Sequence, residues 1–135
     1  MLAKRASIAR TILLLVVALP LSLGGCLKGT SVPNVASAVT AVSGSDQFAN
    51  VSAAAANPLI VLVTDQDGNP FPGGTVNWKV TGGGGTVADT STTADAHGYT
   101  STTYTAGATP GTATVAATLP TTLWTTTFTI HVVTP

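Results

Sequence analysis

Beyond residue 26 this chain has no glutamate and very little glutamine, lysine or methionine, while threonine, valine, alanine and glycine recur throughout. Thr and Val branch at Cβ, which stiffens χ1 and suits a pleated surface better than a helix. An all-β body follows. The order of residues agrees, because short segments are broken by turn signals every ten residues or so. Leu59-Ile60-Val61-Leu62-Val63 is a strongly apolar strand, and Asp65-Gln66-Asp67-Gly68-Asn69-Pro70 is a turn. Next, Val76, Trp78 and Val80 alternate with Asn77 and Lys79. Thr100, Thr102 and Tyr104, then Ala113, Val115 and Ala117, then Phe128, Ile130 and Val132 are the inward sets of later strands. Asp95-Ala96-His97-Gly98 and Thr109-Pro110-Gly111 turn the chain between them, and Gly82 to Gly85 reads as a flexible connection. Such spacing predicts a β-sandwich.

The first 25 residues have a different character. Lys4, Arg5 and Arg10 form a positive leader, and an apolar run from Ile12 to Leu19 follows. Pro20 interrupts the run, which is shorter than the roughly 20 apolar residues a membrane-spanning helix needs. A cleaved signal peptide over residues 1–25 accounts for both facts. It ends in Leu23-Gly24-Gly25-Cys26, which resembles the lipobox of bacterial lipoproteins. The resemblance implies that the signal peptidase recognises Leu23, Gly24 and Gly25, and that Cys26 becomes the acylated N-terminus. Cys26 is the one cysteine in the sequence, so no internal disulfide can form. Several acyl chains would hold the protein to a membrane stably, where one alone is marginal. Leu27-Lys28 carries no acidic retention signal. In such proteins this favours the outer membrane or cell surface over the inner membrane.

Residues 26–45 read as the lipidated cysteine followed by a flexible tether of small and polar residues, with no aromatic and no sustained alternation. Roughly 20 residues of such coil span about 25 Å root-mean-square. The folded domain is then expected over 46–135.

Within that region Asn57-Pro58-Leu59 through Thr64-Asp65, Gly68-Asn69-Pro70, Val76-Asn77-Trp78, the glycines at 82–85, Ser91-Thr92-Thr93 and Gly98 leading to Thr102-Thr103-Tyr104 follow one another in a telling order. The pattern resembles the bacterial immunoglobulin-like domains of the invasin and intimin type. That resemblance implies a Greek-key sandwich without the disulfide of antibody domains, with Trp78 filling the core from a central strand. Relatives of this kind occur as tandem arrays in large adhesins, whereas this sequence carries one copy and no lectin-like tip.

Charge narrows the function classes. Past residue 25 only Lys28 and Lys79 oppose five aspartates, a net −3, so there is no basic stripe for a phosphate backbone and nucleic acid is not an expected partner. The oxygens of Asp65-Gln66-Asp67-Gly68-Asn69 suggest calcium, but glycine is fourth rather than sixth and no glutamate closes a loop. A turn in which Asp and Asn cap backbone amides, with Gly at positive φ, explains the same residues. His97 with Asp95 offers two zinc ligands where three or four must converge, and His131 falls on an outward strand face. No nucleophile elbow or phosphate loop is present, so neither catalysis nor a cofactor is expected.

The expected function is therefore that of a non-catalytic envelope lipoprotein whose domain is a structural or protein-interaction module. The alternative is a carbohydrate- or host-binding module that uses exposed aromatics. Ile60 and Leu62, which alternate with the inward residues of their strand, are candidates for a contact surface. Trp124, Tyr99 and Tyr104 are the candidates for stacking against sugar. The parity Trp124 shares with Phe128 favours core packing over exposure.

Overall fold

The alternation that begins at Leu59 becomes a strand in which Leu59, Val61 and Val63 are buried while Ile60 and Leu62 face the other way. Around it the computed structural model, which describes residues 32–135, places nine further strands. In chain order they are β1 (Ala36–Ser43), β2 (Gln47–Asn50), β3 (Leu59–Asp65), β4 (Thr75–Gly82), β5 (Thr86–Val87), β6 (Ser91–Thr93), β7 (Tyr99–Thr102), β8 (Tyr104–Thr105), β9 (Gly111–Thr118) and β10 (Thr125–Val133). The smaller main sheet has the order β1-β3-β7 and the larger the order β2-β10-β9-β4-β6, while β5 and β8 form a separate short pair. Pairing is antiparallel except between β2 and β10, which run parallel. This is the all-β sandwich expected from the sequence.

The core lies between the two main sheets, where the apolar halves of the alternating strands meet. Leu59, Val61 and Val63 come from β3, Val76 and Trp78 from β4, Ala113, Val115 and Ala117 from β9, and Phe128, Ile130 and Val132 from β10. The Trp78 and Phe128 rings sit 5.9 Å apart at a tilt, and Trp78 Nε1 donates a 2.7 Å hydrogen bond to Thr92 Oγ1. The indole thus brings its apolar body inside without leaving its polar atom unpaired. At one end of the core the buried Tyr104 hydroxyl donates to the Gly84 carbonyl at 2.7 Å, and burial raises the Tyr104 pKa.

Three expectations need correction. Residues 36–43, read as tether, form β1, so the domain begins well before residue 46. Ala36 pairs with Asp65 and Val39 with Val63, but register shifts at Ala36/Ala38 and Ala41/Ser43 break the period of two that betrays a strand. The glycine run at 82–85 ends in a defined turn, with Gly83, Gly84 and Gly85 all at positive φ, closely approached at Gly83 and Gly85 and open at Gly84. A Cβ on Gly83 would meet the backbone of Thr112 and Ala113, and one on Gly85 would meet Thr105 and Tyr104. Trp124, expected in the core, is 55% exposed. It ends the β9–β10 loop, where Leu123 adopts φ 58° and Leu119 N–H donates to the Trp124 carbonyl. The alternation of β10 therefore stops at Thr125, and Leu119 is the buried side chain of that loop.

Candidate functional site

Two surfaces assemble residues of functional interest. The first is the outer face of the smaller sheet. Pairing sets Leu62 between Thr40 and Tyr99, and Ile60 between Ser43 and Ser101. Both aliphatic side chains are half-buried, Tyr99 is exposed, and the bulged Val42 beside them is exposed as well. A Cβ on Gly98 would touch the Leu62 side chain, so the turn into β7 covers part of Leu62 and leaves the rest to solvent. Sequence reasoning found Ile60 and Leu62 from their parity alone. It missed Val42 because the bulged strand went unread.

The second surface is the end of the sandwich at which the chain enters. An open groove of about 550 Å³ is lined there by Asn34, Val35, Phe71, Gly74, Pro120 and Thr121 among others. None of its lining residues is charged. Thr122 Oγ1 donates to the Ser37 carbonyl at 3.4 Å, which ties the β9–β10 loop to the entering strand. Leu123 and Trp124 follow in that loop, 76% and 55% exposed.

Two turns at this end have the same construction. Asp65 Oδ1 accepts from the backbone N–H of Asp67 and of Asn69, both at 2.9 Å, and Gly68 has φ 85°. Asp95 Oδ1 accepts from the N–H of His97 at 2.8 Å and of Tyr99 at 3.0 Å, and Gly98 has φ 82°. In each, the carboxylate satisfies two donors that a sharp turn leaves unpaired. The Asn69 amide, followed by that of Asp67, lowers the Asp65 pKa against an opposing effect of burial. The Tyr99 amide, followed by that of His97, does the same for Asp95. Of the oxygens that suggested calcium, Asp65 Oδ1 is thus used in holding the turn, and Gln66 Oε1 accepts from the Val35 N–H.

His97 is exposed on its turn, while His131 lies on the outward face of β10. The His131 ring sits 5.1 Å from that of Phe48, and its Nε2 is 3.8 Å from Asp46 Oδ1. Among the described residues no three His, Cys, Asp or Glu side chains converge as a metal site would require. Of the three aromatics proposed for stacking, Tyr104 is buried, Tyr99 lies on the smaller sheet and Trp124 lies at the entry end. Leu23, Gly24, Gly25 and Cys26 lie outside the described residues.

Comparison with known proteins agrees with this architecture. The model of the family described as bacterial Ig-like domain (group 1) matches residues 38–133. Among solved structures, domains 4–9 of the surface layer protein SbsC match 76% of this chain at 18% identity with a TM-score of 0.55. The D00-D0 domain of intimin matches 74% at 17% identity and a TM-score of 0.52. A C-terminal fragment of intimin, solved with the intimin-binding domain of the translocated intimin receptor, matches 74% at 19% identity and a TM-score of 0.54. This chain spans 15%, 50% and 33% of those three chains respectively. No curated protein matches it.

Proposed function

The chain belongs to the group 1 bacterial Ig-like family, and we propose that it is a non-catalytic module held at the cell envelope by acyl chains on Cys26, where it acts as a spacer or a protein-contact domain. The observation that carries this reading is the direction of the chain through the sandwich. Ala36 pairs with Asp65 at the entry end, while Val132 pairs with Gly111 and Val133 with Asn50 at the other. A domain tethered through residue 26 therefore presents its Val133 end away from the attachment point. Structural relatives support the setting, since the matched structures of SbsC and intimin each comprise more than one domain, and SbsC is a surface layer protein. The outer face around Ile60 and Leu62 supplies a contact surface of uncharged side chains, which can be covered without desolvating an ion.

A glycan-binding module has less support, because the three aromatics do not form one platform. For location, the reading favours the outer membrane or the cell surface. The test is flotation of membranes on a density gradient together with protease treatment of intact cells. The wild-type chain is expected to float with membranes and to be clipped by external protease. The Cys26→Ser variant is expected in the soluble fraction. A wild-type chain that stays soluble would overturn the anchored reading, and one that floats but resists external protease would overturn surface display.

A further inference from the structure

We propose that Leu123 and Trp124 insert into the lipid surface to which Cys26 holds the chain, so that the domain docks on the bilayer by its entry end. The inference rests on the anchored reading above and adds to it a second, non-covalent contact. Three observations carry it. First, the β9–β10 loop lies against the start of the domain, with Thr122 bonded to the Ser37 carbonyl and Pro120 and Thr121 sharing a groove with Val35. Second, Leu123, Trp124 and Val35 are all exposed there, beside a groove whose lining carries no charge. Third, only nine residue steps separate Cys26 from Val35, whose N–H already bonds Gln66 Oε1 of the domain. Nine residues can reach at most about 30 Å. The entry end is therefore the part of the domain kept nearest the headgroups, and it is the end that exposes a leucine and a tryptophan side by side.

The chemistry suits a bilayer. An indole prefers the interface, with its ring among the upper acyl carbons and its N–H toward headgroups, and a neighbouring leucine adds apolar area. No lysine or arginine lines the groove, and the Asp65 and Asp95 turns lie at the same end, so the contact does not select anionic lipid. Leu123 also holds φ 58°, a left-handed conformation that aspartate and asparagine adopt more readily than leucine. A leucine at that position, facing solvent, is better explained by what it touches than by the needs of the turn.

The sequence contains two tryptophans, and Trp78 is only 3% exposed, so Trp124 can be read separately. The protein as processed in its host would be placed in phosphatidylcholine vesicles with and without bromine on the acyl chains. Brominated lipid is expected to quench most of the Trp124 emission and leave that of a Trp124→Phe variant unchanged. Leu123→Asn keeps a residue suited to the loop, and is expected to float with the vesicles while losing the quenching. A wild-type protein that floats but fluoresces equally in both lipids overturns the docking proposal alone. So does one whose Trp124 emission responds to added oligosaccharide rather than to lipid. A protein that does not float overturns the anchored reading and the docking proposal with it.

Discussion

Glycines at 83, 84 and 85 show how far a single side chain decides the local structure. All three have positive φ, yet their surroundings differ: a Cβ at 83 would run into the backbone of Thr112 and Ala113, whereas one at 84 would meet nothing. Gly83→Ala is therefore expected to combine backbone strain with a steric clash, for a loss of about 2–3 kcal/mol. Gly84→Ala carries the strain alone, at about 1 kcal/mol. Thermal unfolding of the two variants checks this, and equal losses would show that the turn is not packed as described. The same stretch also shows what a sequence hides. Four consecutive glycines read as flexibility, because nothing in their own chemistry reveals that β8 and β9 press against them. Trp124 is the converse case, where parity with Phe128 pointed inward but the positive φ at Leu123 ended the alternation one residue too soon.

Among the elements, strands with a clean period of two were legible and those without it were not. Leu59, Val61 and Val63, Val76 and Trp78, and Phe128, Ile130 and Val132 could be assigned to the core from alternation alone, and all are buried. β1 could not, because its bulges separate Ala36, Val39 and Ala41 by uneven steps. β2 escaped because it is four residues long and pairs in parallel with a strand some 80 positions away. Consequently Phe48 and Asp46, which flank His131, were not anticipated. The turns were legible down to mechanism, since Asp at the first position and Gly at the fourth specify the Asx geometry found at 65 and 95. Both carboxylates have lowered pKa values in the folded chain, so the unfolded state takes up protons first as the solution is acidified. Their contribution is complete above the ordinary aspartate value of about 3.9 and is lost as pH falls below it through the folded values. Melting temperature is expected to drop with acid across that window. An Asp65→Asn/Asp95→Asn double variant keeps acceptors for the turn amides but cannot titrate there, and its curve is expected to be flatter. A double variant with the wild-type slope would place the acid sensitivity elsewhere.

At the scale of the whole molecule, a sandwich whose entry groove is lined by no charged residue follows, in the sequence, a short segment leading from Cys26. The fold and its family account for a module that presents surfaces. The lipobox-like residues say how such a module would be held, and the uncovered faces say where it would make contact. Under the proposed attachment these parts would take one geometry, with entry loops toward the membrane, the Ile60–Leu62 face at the side and the Val133 end outward. Attachment through Cys26 is the point on which that geometry depends. The measurement that tests it most directly is the intact mass of the protein extracted from membranes, beside that of a Cys26→Ser variant. The account predicts a chain that starts at residue 26 and carries added acyl mass, with both features lost in the variant. A chain without acyl mass, or one that retains residues 1–25, would contradict it.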